Sequence, residues 1–181
     1  LIESIEQIDE VITHKPNADT FDIQLPLMSL PGIFSDSMET IPKRIPYLGN
    51  TAKKIKSDYH KIGVCWAGSG NQPLDRRSIS IEELEPLFAR TDLDFHSLQI
   101  GHTSPPYLHD RSAEMRDFKA TSEIIQDLDL VISIDTSVAH LAGAMGAPLW
   151  ILLNFAPDWR WGIEKEHSDW YPNARLFRQN Y

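Results

Sequence analysis

The chain has 181 residues, 41% hydrophobic and 24% charged, an ordinary globular composition with enough length for one good core and part of a second unit. Seventeen lysines and arginines against 26 aspartates and glutamates leave a net charge of −9. That balance argues against nucleic acid or an anionic membrane as partner, since a cationic face supplies most of such affinity. A small anionic ligand stays compatible, because backbone amides and a few side chains hold a phosphate on an acidic protein. Cys65, the single cysteine, lies in an apolar run. It reads as a buried strand residue, with no disulfide framework and no zinc set. No apolar run approaches the roughly 20 residues of a membrane helix, and the acidic, amphipathic start is unlike a signal peptide. A cytoplasmic protein is expected, and the opening at Leu1 rather than methionine suggests a piece of something longer.

Residues 1–57 hold several prolines and read as the last pieces of a preceding domain plus a linker. Ile2, Ile5, Ile8 and Val11 recur every three residues, so one short amphipathic helix is expected over Leu1–Val11. Gln24–Leu30 is a brief apolar run, and Ile41–Leu48 is proline-rich and extended.

Residues 58–181 are more regular. Lys61–Ala67 predicts a buried strand and Ser80–Arg90 a helix, with Ser80 and Glu83 spaced as a capping box. Leu93–Ile100 predicts a second strand, Thr121–Leu128 a helix capped by Thr121, and Asp129–Asp135 a third strand. Ser137–Met145 predicts a small-residue helix stopped at Gly146. Pro148–Asn154 predicts a fourth strand, and Arg175–Gln179 a returning segment with Leu176 and Phe177 buried. Alternating strands and helices with short loops predict an α/β domain, a Rossmann-like doubly wound parallel sheet.

Ligands of such sheets bind where strands end and helices begin. Three loops qualify. In the first, Gly68, Ser69 and Gly70 follow a strand and allow close backbone approach, while Arg76, Arg77 and Ser78 add donors suited to phosphate. Alone, this is equally a glycine turn with solvated arginines. In the second, Asp135 leads directly into Thr136 and Ser137 at a helix amino terminus, where amides and the macrodipole favour anions. His140 lies one turn inside, facing the same mouth or packed in the interior. In the third, Trp159, Arg160 and Trp161 form either a wall for a ring or packing for the returning segment. Gln99 ends the second strand and either reads a base edge or makes an ordinary loop hydrogen bond. His102 and His109 bracket a loop without a third ligand, and neither HExxH nor GxSxG occurs.

Asp135–Ala142 (DTSVAHLA) resembles the donor-binding motif of bacterial heptosyltransferase-type glycosyltransferases. There Asp-Thr/Ser-Gly-x-x-His-Leu-Ala opens the helix holding the nucleotide diphosphate. A closer likeness is to the glycosyltransferase-like domain that follows tetratricopeptide repeats in many bacterial proteins. It spans residues 20–181 and rests on WAGSG, DRRS, LQ, the run Asp129–Pro148, DWRW and WYPNARLFRQ, with PLMSLP and IPYL ahead of them. The resemblance implies the carboxyl-terminal half of a two-Rossmann-domain (GT-B) enzyme. It implies that Thr136, Ser137 and His140 hold the donor diphosphate, that Arg77 and Ser78 lie by the phosphates, and that Gln99 lies by the base. It implies a nucleotide-diphosphate sugar, with a lean to UDP, as donor substrate, no further cofactor, and a protein or saccharide acceptor. Arg77 and the Thr136–Ser137 amides would steady the departing diphosphate, help that needs no metal. Ser137 stands where the heptosyltransferase motif has glycine, which argues against a heptose donor. Because such enzymes draw acceptor site and base from the other domain, the chain by itself is expected to bind and not to transfer. The alternatives are a non-catalytic nucleotide-binding or scaffolding domain of a repeat protein and a nucleotide-sugar epimerase-like domain. All depend on open, concave space at the amino end of the helix after Asp135.

Overall fold

The computed structural model describes residues 2–5, 8–17, 20–34, 37, 39–40, 44–48, 60–68 and 75–180. Its core is one sheet of parallel strands: β1 (His60–Cys65), β2 (Leu93–Ser97), β3 (His109–Asp110), β4 (Leu130–Ile134), β5 (Leu149–Leu153) and β6 (Ala174–Arg178). The order across the sheet is β3-β2-β1-β4-β5-β6. The helices are α1 (Leu30–Ile33), α2 (Glu85–Phe88), α3 (Phe118–Gln126) and α4 (Ser137–Ala144).

Branched and aromatic residues make these strands because both of their faces are covered. Ile62 and Val64 of β1, Phe95 of β2 and Ile132 of β4 point to one side, where Leu84, Leu87 and Phe88 of the α2 region meet them. Cys65, Val131, Leu149 and Ile151 point to the other, against Ile124 and Ile125 of α3 and Ala139 and Ala142 of α4. Helices on both faces of an all-parallel sheet make this a doubly wound, Rossmann-like α/β domain. Ile62 pairs with Phe95 on one side and Leu130 on the other. From β1 the chain therefore builds outward through β2 and β3, then returns to build the other way from β4. The β1/β4 boundary is thus the topological switch point, where open α/β sheets take ligands.

Several elements differ from expectation. Of the helix expected over Leu1–Val11, the described residues show a 3-10 turn, Ile2–Ser4. Ile2, Val11 and Ile12 are exposed, and a helix this short is marginal in water unless its apolar face is buried. The extended linker is pinned: the Tyr47 and Leu48 amides both donate to the Ala144 carbonyl, at 2.9 and 3.2 Å. The helix expected over Ser80–Arg90 divides into a 3-10 turn, Ile81–Leu84, and α2, whose first turn holds Pro86. The Glu83 carboxylate does accept from the Ser80 amide at 3.2 Å. Helix α3 starts three residues early, and Asp117, not Thr121, caps it, accepting from the Ala120 amide at 2.7 Å. Thr121 is buried, its hydroxyl donating to the Asp117 carbonyl. Gly146, past the end of α4, has φ +73°, the left-handed stop expected there. The returning segment is strand β6, and only Leu176 of its expected pair is fully buried. Phe177 faces the side that carries Trp150, at a ring distance of 5.1 Å. Among the described residues, no helix is long and apolar enough to cross a membrane.

Candidate functional site

A cleft of about 520 Å³ opens at the switch point, lined by Gly68 and Arg77 after β1, Gln99 and Ile100 after β2, Asp117 and Phe118 at the start of α3, and Thr136–Val138 at the start of α4. Its size falls within the ~300–1,000 Å³ range of small-molecule sites. Its lining combines apolar side chains, Leu98, Ile100, Met115, Phe118 and Val138, with Arg77 and the α4 amino end.

Arg77 is held by its neighbours before any ligand arrives. Its Nε donates to Asp75 Oδ1 at 3.1 Å and its Nη1 to the Asp135 carbonyl at 3.0 Å. Nη2 lies against Gly68, where a Cβ would sit 3.0 Å from it and collide with the Asp75 carboxylate. Gly68 is therefore the residue that lets the Asp75–Arg77 pair lie on the loop. Burial pushes the Asp75 carboxyl up, but hydrogen bonds from Arg77 and Ser78 outweigh it and hold the group below the usual carboxylate range. Asp75 stays ionised and keeps the guanidinium in place.

The amino end of α4 has no side-chain cap. The Thr136 hydroxyl lies instead 2.9 Å from Ser133 Oγ and 3.7 Å from Cys65 Sγ. Ser137 is exposed and Thr136 half-buried, and both line the cleft. The end of the helix therefore meets open, concave space, and helix-end amides with the macrodipole favour a negative group there.

Gln99 has another use. It is 3% exposed. Its Oε1 accepts from the Trp66 and Ala67 amides at 3.1 and 2.8 Å, and its Nε2 donates to the Ala67 and Ile100 carbonyls at 3.0 and 3.1 Å. Backbone takes all four positions of the carboxamide, leaving none for a base edge. Gln99 braces the ends of β1 and β2. Ser78 also braces: it accepts from the Gly68 amide and donates to Asp75, both at 2.9 Å, and it does not line the cleft.

His140 does not line the cleft. Its ring stacks on buried Trp161 at 5.3 Å, Nδ1 lies 2.9 Å from the Tyr171 hydroxyl, and Nε2 lies 3.5 Å from Asp135 Oδ1. Burial pushes the Asp135 carboxyl up, while His140, the Trp161 indole and Arg77 pull it down and prevail. The third loop divides its roles: Trp161 is core, while Trp159 is 62% exposed under the Arg160 guanidinium, 4.9 Å from the ring centre. Cys65 is buried as expected, and burial pushes its thiol up, so it is not a nucleophile at neutral pH. Ser69 and Gly70 lie outside the described residues. His102 and His109 are exposed, and among the described residues no cluster of histidine, cysteine or carboxylates is arranged for a metal.

Sequence reasoning missed Asp75, Met115, Asp117, Phe118 and Thr121. Asp75 was visible as an acid two residues before Arg77; the other four emerge only once α3 is placed beside β2.

The chain matches no protein-family profile and no curated protein. It is similar to a solved structure described as a glycosyl transferase family 9 protein from Veillonella parvula. Identity is 9% and the TM-score 0.48, over 69% of this chain and 36% of that one. The chain thus spans about a third of the length of that protein.

Proposed function

We propose that this domain binds the nucleotide-diphosphate part of a sugar donor, as the carboxyl-terminal unit of a GT-B glycosyltransferase. The observation that carries the reading is the open cleft at the β1/β4 switch point, with Arg77 braced at its edge and the uncapped end of α4 meeting it. The diphosphate would lie against the Thr136–Ser137 end of α4 within reach of Arg77. The nucleoside would lie against the apolar side chains of Leu98, Ile100, Met115 and Phe118. The motifs at Asp75–Ser78 and Asp135–Ala142 resemble the donor loops of repeat-linked glycosyltransferases, which supports a sugar nucleotide over other diphosphates.

Transfer also needs an acceptor and a base. Among the described lining residues Asp117 is the one carboxylate, engaged as the α3 cap, and none is a histidine. This supports a binding role for the chain itself, with acceptor and base drawn from elsewhere in the intact protein. In such an enzyme Arg77 and the α4 amides would stabilise the departing diphosphate.

A thermal-shift and calorimetric panel of UDP, ADP, GDP and CDP, with the parent nucleosides as controls, tests the reading. The expected result is binding of one diphosphate that is far weaker for its nucleoside, and a loss of about tenfold or more in Arg77→Ala, the value of one charge-assisted hydrogen bond. Binding of none, or an affinity indifferent to Arg77, would refute it.

A further inference from the structure

We propose that Ser133 is a positioning residue that draws the Thr136 hydroxyl off the amino end of α4 and so leaves a helix-end amide free for a ligand. Two helices of this chain begin alike and finish their first turn differently. Asp117, ahead of α3, has extended backbone, φ −156° and ψ 176°, and its side chain accepts from the amide of Ala120, three residues on. Thr136, ahead of α4, has nearly the same backbone, φ −137° and ψ 171°. Threonine is a cap-forming residue, yet Thr136 makes no side-chain cap. The amide placed to receive one is that of Ala139.

The neighbour of Thr136 accounts for the difference. Ser133, near the end of β4, is 0% exposed and places its Oγ 2.9 Å from the Thr136 hydroxyl. The Ser133 hydrogen goes to the Ile134 carbonyl at 2.7 Å, so Thr136 is the donor between the two hydroxyls. Cys65 stands beside Ser133 in the β1/β4 ladder. Its sulfur is 3.7 Å from the Thr136 oxygen and is a weak partner. Ser133 therefore supplies the bond that competes with the cap. A threonine cap is worth a population ratio of about five to one. Without Ser133 the hydroxyl turns to the Ala139 amide in about five molecules of six. A ligand that needs this amide then binds about sixfold more weakly, because only the remaining sixth is ready for it. That change in affinity rests on the function proposed above; the turn of the hydroxyl does not.

Ser133→Ala removes the bond and keeps an apolar residue in the strand. The Ala139 amide reports the result with no ligand present: its exchange with water should slow about sixfold, with a matching change in its proton shift. Cys65→Ala should leave this amide as in the parent. Titration with UDP, ADP, GDP and CDP supplies the second measurement. Whichever diphosphate the parent binds should bind about sixfold more weakly to Ser133→Ala. In a Thr136→Val background, which has no hydroxyl to turn, adding Ser133→Ala should change nothing further. An Ala139 amide indifferent to Ser133→Ala would overturn the proposal, as would one that responds equally to Cys65→Ala. So would a diphosphate affinity unchanged by Ser133→Ala, or a loss that persists in the Thr136→Val background. If none of the diphosphates binds the parent while the Ala139 amide behaves as stated, the proposed function falls and the hold of Ser133 on Thr136 stands.

Discussion

Replacing Gln99 with glutamate separates a brace from a base reader, because the two side chains have nearly the same shape. In the parent protein Nε2 supplies both hydrogens, one to the Ala67 carbonyl and one to the Ile100 carbonyl. Glutamate retains an oxygen for the Trp66 and Ala67 amides but sets its second oxygen against those two carbonyls. Leaving one buried acceptor unmet costs about 1–3 kcal/mol, and a charge placed against it costs more. With two carbonyls affected and the site 3% exposed, a loss of about 3 kcal/mol or more at pH 8 is expected. For a chain of this size that lowers Tm by about 6–12 °C. The glutamate's folded pKa is raised by burial, so its penalty is greatest at high pH. It shrinks as the carboxyl takes up a proton on the way down to pH 5. Urea unfolding of both proteins at pH 8 and pH 5 measures this directly. If Gln99→Glu is as stable as the parent at pH 8 yet loses nucleotide binding, the carboxamide serves a ligand and the brace reasoning fails.

Two other changes test the packing. Gly143→Ala pushes a methyl into the Tyr171 ring, and overpacking of this kind costs about 1–3 kcal/mol; thermal melts should show the loss, and unchanged stability would mean the ring is not held on α4. His96 is buried, and burial lowers its pKa despite Asp94 at 3.1 Å, with Arg111 and His109 adding to the lowering. The folded state then binds its proton less readily than the unfolded state. Its contribution to stability is complete above the unfolded histidine value of about 6.5 and is lost as pH falls below it. Urea unfolding from pH 7.5 to 5.5 should show a steeper decline for the parent protein than for His96→Gln.

The parts of the fold that could be read in advance are those set by local chemistry. Continuous apolar runs marked β1, β2, β4 and β5, and an acid or hydroxyl with its partner three residues on marked the α2 entry. A cleft at the carboxyl ends of the strands followed from strand–helix alternation; the strand order that puts the switch point between β1 and β4 did not. What could not be read depends on distant contacts. Strand β3 is two residues long, and its identity comes only from lying beside His96 and Ser97. Asp117 outcompetes Thr121 as a cap because Thr121 is drawn into the core, which sequence spacing does not reveal. His140 had two readings of equal weight, and the decision came from Trp161 and Tyr171, residues 21 and 31 positions later. Gln99 looks like a rim residue in sequence, and only the approach of the Trp66–Ala67 backbone shows that its amide is fully used.

Charge provides the last test. A chain with a net charge of −9 repels a diphosphate at long range, yet the cleft offers attraction at contact through helix-end amides and one guanidinium. At physiological ionic strength the screening length is about 8 Å, so the distant carboxylates are largely screened while the contact donors are not. Added salt then has two opposing effects: it removes residual repulsion and it weakens the partly exposed Arg77. Because Arg77 is already paired with Asp75, its unscreened excess is small, and the two effects should nearly cancel. Titrating UDP at 50 and 300 mM sodium chloride should therefore change affinity by less than about threefold. A protein relying on a cationic surface would lose far more over the same range. A drop of tenfold or greater would mean that long-range positive charge, not the α4 amides, dominates binding, and the site would have to be sought elsewhere on the molecule.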